Sequence, residues 1–195
     1  MSNRKEWMRA ELRGSNVQST SISASRPKGK SFADQKHRYA NFSDAHLGQA
    51  VFQNSDLFGA NFMGSELKEA NFRGARLKQV DFRKTNLQAA NFQKTLCRQA
   101  NFEGALMVEI ALEGANCRET IFYGADLRKA RFLGADLTAA DFTAADLRGA
   151  LYNDKTTWPE GFDPLEHGAI PIDWEIKIIE EEPQAENEEE GDEEE

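Results

Sequence analysis

A repeat fold whose backbone turns a corner at every fifth residue is what this sequence predicts, and three observations predict it. From Phe32 to Tyr152 a large apolar residue recurs every five positions, with Phe at 42, 52, 62 and 72 alternating with Leu at 47, 57, 67 and 77. Two residues before these centres, 21 of 23 positions from Ala40 to Ala150 are Ala, Ser or Thr, Val80 and Ile110 being larger. Asn or Asp stands between the two at 13 of those 23 positions, and Gly follows two residues after the centre in eight cases. A spacing of five fits neither the helical period of about 3.6 nor the strand period of about 2. The series is buried only if the chain turns a corner after each unit and sends every centre to a common axis.

Each position of the unit has a physical role. The centre fills the interior, and 24 of the 25 centres are Phe, Tyr, Leu, Met or Cys, with His37 the exception. The small residue lets the wall close in behind it. Asn or Asp bonds nearby backbone at the corner, and Gly suits a corner that needs positive φ.

The runs Ala60-Asn61-Phe62-Met63-Gly64 and Ala125-Asp126-Leu127 resemble those of the pentapeptide-repeat proteins. That resemblance implies an all-β, right-handed quadrilateral parallel β-helix with four units per coil, over roughly residues 30–154. About six coils at a spacing of roughly 4.8 Å would form a rod about 30 Å long. Two opposite walls then send in Phe and the other two Leu, with one Phe replaced by Leu112. The stretch Thr157-Trp158-Pro159-Glu160-Gly161-Phe162-Asp163-Pro164 is similar to the closing segment of cyanobacterial members.

Four segments follow from composition. Residues 1–29 carry a net charge of +4, with Asn3 and Glu6 placed as a capping box for a short helix over 3–13 and a Ser- and Thr-rich linker over 15–29. The rod, 30–154, is near neutral at +1. Residues 155–179 form a C-terminal capping segment, in which Asp163, Pro164, Glu166 and Gly168 read as a capped helical turn and Trp158, Phe162, Leu165, Ile170, Ile172 and Trp174 as an apolar plug. Residues 180–195 are low-complexity acid, expected to be disordered, and 175–195 carry −11 of the chain's net −9.

No apolar run long enough to span a membrane and no secretory h-region is present, so a cytoplasmic location is expected. Cys97 and Cys117 are centres one coil apart. Stacked side chains lying parallel offer poor bridge geometry, so both are expected to be free, inert thiols in the core.

No catalytic constellation, phosphate loop or metal set emerges, and neither an enzyme activity nor a cofactor is expected. His37, His46 and His167 have no ligand spacing. Surface recognition remains. Every twentieth residue along one wall gives Arg38, Phe58, Lys78, Arg98 and Arg118, a basic stripe with one aromatic, to which an anionic partner or the chain's own tail could bind. Loss of the polar slots near residue 110 places Leu96, Leu106, Val108, Ile121, Tyr123 and Leu133 outward around one level of the rod, on different walls so that not all can join one patch. Leu106, Val108, Ile121 and Tyr123 are a candidate contact for a protein partner or a second copy of the chain. The leading expectation is a non-enzymatic protein-protein interaction or scaffold module. The alternative implied by the resemblance is a DNA mimic that regulates DNA gyrase or topoisomerase, which needs a strongly negative rod. Direct binding of nucleic acid is not expected of this charge distribution.

Overall fold

The computed structural model describes residues 29–172. The expected helix over 3–13, nearly all of the 15–29 linker, the end of the capping segment and the acidic tail lie outside the described residues.

Isolated parallel bridges join each unit to the unit twenty residues further on, as in Ser31↔Val51, Lys36↔Asp56, Asn41↔Asn61 and His46↔Glu66, after which Val51↔Asn71 repeats the first position. Four units therefore close one circuit, and the fold is a right-handed quadrilateral parallel β-helix. We name each wall by its first centre: Phe32, His37, Phe42 and Leu47. The twenty-residue offset holds to Arg131↔Leu151 and becomes 21 at Asp136↔Thr157. Past that point the winding ends in two short parallel strands, β1 (Leu151–Tyr152) and β2 (Ile170–Pro171), which pair Leu151 with Ile170.

The corners follow one rule. The N–H three residues after a centre donates to that centre's carbonyl, as Ala50 does to Leu47 at 2.9 Å, and the second corner residue has positive φ. The requirement extends beyond glycine: Glu69, Gln79, Lys84 and Ala89 adopt φ between 53° and 61°. Each left-handed L-residue costs roughly 1 kcal/mol. The ladder offsets it, because the same residues donate their N–H groups to the next coil, Glu69 to Gln88 and Gln79 to Arg98 at 2.9 and 3.1 Å. At Gly64 the absence of a side chain also makes room, since a Cβ there would stand 2.5 Å from Asp44 Oδ1.

Side-chain oxygens complete the corners as expected from the Asn/Asp slot. Asn61 Oδ1 accepts the Met63 N–H at 2.9 Å and Asn71 Oδ1 the Arg73 N–H at 3.0 Å. The hydroxyls of Ser55, Ser65 and Thr85 are buried, and each donates to the carbonyl of the preceding centre at 2.6 Å. No desolvation cost is left open there.

The interior is a column of rings and branched aliphatics. On the Phe42 wall, Phe62, Phe82 and Phe102 stack at 5.1 and 4.9 Å between centroids. They meet the Phe32 wall edge-on, Phe72 to Phe82 at 5.6 Å. Leu112 takes the missing Phe place and is fully buried. His37 is buried beside Phe32 and Phe42, and burial lowers its pKa to about 4, so the imidazole is neutral.

Cys97 and Cys117 are joined in a disulfide, with 4.9 Å between their Cα atoms. This corrects the expectation of free thiols. One coil spacing lies inside the Cα separation of about 4.4–6.8 Å that a bridge tolerates, and the two sulfurs converge from the same column although their backbones run parallel.

At the C-terminal end, Trp158 and Phe162 pack on the last rings, Phe132 to Trp158 at 5.5 Å and Phe142 to Phe162 at 5.1 Å. Leu165 and Ile170 do not join this plug and stay exposed. The predicted capped turn forms over 164–168: Asp163 Oδ1 accepts the Leu165 N–H, the Ala169 N–H reaches Pro164 O at 3.0 Å, and the Gly168 N–H reaches Leu165 O at 2.9 Å. Those two bonds, with Gly168 at φ +78°, close it as a Schellman motif. It is a single turn rather than a helix, because the chain must return at once to pair Ile170 with Leu151.

Candidate functional site: a basic groove on the His37 wall

On every wall the residues flanking a centre point outward, so two columns run along the rod with a channel between them. On the His37 wall that channel deepens into a groove of about 430 Å³. One side is Asp56, Arg76, Leu96 and Asn116; the other is Arg38, Phe58, Lys78 and Arg98. Four of the five stripe residues predicted from the sequence thus line one site. Arg118 lies outside it and pairs with Asp136 at 3.4 Å.

The groove is organised at one end and open in the middle. The Arg38 guanidinium lies 4.8 Å from the Phe58 ring centroid, Tyr39 meets Phe58 edge-on at 5.3 Å, and Asp56 stands 4.0 Å from Arg38 Nε. Arg98 is paired with Glu119 of the next coil. Among the described residues no carboxylate pairs with Arg76 or Lys78, and both are exposed. Beside them Leu96 is 48% exposed. The chemistry on offer is therefore two unpartnered cations next to an apolar side chain and a fixed aromatic, which suits an extended anionic segment carrying an apolar group.

Reading one column at a time missed Arg76 and the role of Leu96. The signal was present in the same twenty-residue period, two positions earlier along the wall.

The sequence profile of the pentapeptide repeat family matches in overlapping segments, 38–74, 65–104, 81–116, 95–132 and 111–149, which together span more than half of the chain. The chain belongs to the pentapeptide repeat family. No curated protein matches it in sequence. Several solved structures are similar to this chain. One, from the Arabidopsis thaliana thylakoid lumen, is 25% identical over 56% of this chain and 66% of its own, with a TM-score of 0.31. Another, from the cyanobacterium Cyanothece 51142, is 21% identical over 80% and 98%, at 0.33. QnrB1, a plasmid-mediated fluoroquinolone resistance protein, is 17% identical over 83% and 98%, at 0.29.

Elsewhere on this pentapeptide repeat rod, Leu106, Ile121 and Tyr123 are exposed as expected, by 46%, 38% and 48%, and Val108 is partly covered. They lie on different walls, as the twenty-residue period implies. Leu106 and Val108 flank Met107 on the Leu47 wall, whereas Ile121 and Tyr123 flank Phe122 on the Phe42 wall. Among the described residues no cluster of three or more His, Cys, Asp or Glu could hold a metal, and no helix is long and apolar enough to cross a membrane.

Proposed function

We propose that this pentapeptide repeat protein is a non-enzymatic interaction module that binds a protein partner along the His37 wall. The observation that carries this reading is the groove itself, in which Arg76 and Lys78 stand unpaired beside Leu96 and Phe58. The rod stiffens that surface from behind through stacked rings and a covalent tie between neighbouring coils, so little ordering cost falls on binding. An acidic protein segment fits it by charge.

Regulation of gyrase by DNA mimicry would require a negative rod. The near-neutral charge of residues 30–154 and the exposed cations of this wall weigh against it. A cytoplasmic location is in tension with the Cys97–Cys117 disulfide, since such bonds persist mainly in oxidising compartments.

The test is affinity capture with the full chain, its Arg76→Glu/Lys78→Glu variant and an Arg73→Glu control on the Phe32 wall. A partner held by the wild type and the control, and lost with the double variant, supports the reading. A partner retained equally by all three refutes the groove as its site.

A further inference from the structure

The groove also has a candidate occupant within the chain. Ile172, the last described residue, donates its N–H to Tyr152 O at 3.0 Å on the Phe32 wall. In the direction of winding, the next wall is the His37 wall, the one that carries the groove. The segment that follows, 173–195, contains Trp174, Ile176, Ile178 and Ile179, then Glu180-Glu181-Glu182, and carries twelve acidic residues from Glu175 onward.

Length and charge both suit the groove. Neighbouring coils are 4.9 Å apart at Cys97 and Cys117, so the level of Arg98 lies about 20 Å down the rod from that of Ile172. One wall must also be crossed. Eight extended residues span roughly 26 Å, which brings Glu180–Glu182 to Arg98 and Lys78 and leaves the remaining acids to run past Arg76 toward Arg38. The groove lining carries four cations, Arg38, Arg76, Lys78 and Arg98, against one carboxylate, Asp56. Ile178 and Ile179 immediately precede the acids, as an apolar contact at Leu96 followed by ion pairs at Lys78 and Arg76 requires. Individual exposed ion pairs are weak, but a tether of this length acts at an effective concentration in the millimolar range.

We infer that residues 178–190 dock in cis in the His37-wall groove, so that the acidic tail occupies the surface offered to a partner. This rests on the groove being a docking surface. It adds that an external acidic segment must displace the chain's own.

The test uses the full-length protein labelled with nitrogen-15 and carrying a nitroxide at Asn187→Cys; Cys97 and Cys117 are buried and bridged, so only the new thiol reacts. At 50 mM salt the amides of Phe58, Lys78 and Arg98 are expected to lose more than half of their intensity, while those of Arg73 and Glu103 on other walls keep theirs. The loss should vanish at 500 mM salt and in the Arg76→Glu/Lys78→Glu variant, and persist in Arg73→Glu. Uniform broadening on all walls, broadening confined to residues 1–28, or equal broadening when spin-labelled chains without nitrogen-15 are mixed with unlabelled-thiol nitrogen-15 chains would each overturn docking in cis. If these amides stay sharp while capture through the groove still depends on Arg76 and Lys78, the interaction module stands and the tail's role falls.

Discussion

Replacing His37 by leucine, the residue at the next two centres of its wall, is expected to remove an acid sensitivity from the fold. Burial lowers the imidazole from 6.5 to about 4, so between those values the unfolded chain holds a proton that the folded chain does not. Stability then falls as pH drops from 6.5 toward 4 and levels off below. At about 1.4 kcal/mol per pH unit the whole window is worth about 3 kcal/mol, and roughly 2.5 of that is spent by pH 4.5. The carboxylates act in a separate range. Asp126, lowered by its hydrogen bonds from Arg128, and Asp146, lowered by those from Arg148, contribute stability that is lost only below their ordinary value of 3.8. Urea unfolding followed by circular dichroism at pH 7.5, 5.5 and 4.5 checks this. Leucine also removes the unpartnered, buried Nδ1, so His37→Leu should match or exceed the wild type at pH 7.5 and gain a further ~2.5 kcal/mol over it at pH 4.5. A gap that stays constant to within about 0.5 kcal/mol across the three pH values would refute a neutral, buried His37.

Other outcomes follow from the same packing. Phe82→Ala, which removes a ring stacked at 5.1 and 4.9 Å and met edge-on at 5.6 Å by two others, should cost about 3–5 kcal/mol in denaturant unfolding. Phe82→Leu should cost well under half of that, because Leu112 already occupies an equivalent place without exposure. Gly64→Ala combines a left-handed φ with a Cβ driven to 2.5 Å from Asp44 Oδ1 and should lower stability by about 2 kcal/mol, whereas Ala139→Gly at φ 57° should raise the Tm by a few degrees. Reduction, or Cys97→Ser with Cys117→Ser, releases a cross-link over twenty residues and should cost about 3 kcal/mol, read as a shift of the denaturant midpoint with and without reductant.

The square tube was readable because one period governed core, corner and wall at once, so Phe72 and Leu77 announced the same geometry as Asn71 and Ala75. What escaped depended on relations that a repeat does not encode. Glu69 and Gln79 carry no mark of positive φ, since the corner imposes it and the ladder supports it. The spacing of Cys97 and Cys117 showed that they are neighbours but not how their sulfurs approach. Arg76 and Lys78 lie on opposite sides of a centre, and only when both columns are taken together does a groove appear. Leu165 and Ile170 were apolar enough for the plug, yet Trp158 and Phe162 already cover the terminal rings.

The bridge between adjacent coils also sets a mechanical limit. In a solenoid each coil grips only its neighbours, so tension applied to the two termini should strip turns from the ends inward. Between Cys97 and Cys117 a full circuit is short-circuited by the covalent link, and roughly 65 Å of contour cannot be paid out. Under load the oxidised molecule is therefore a shorter rope than the reduced one, by one loop.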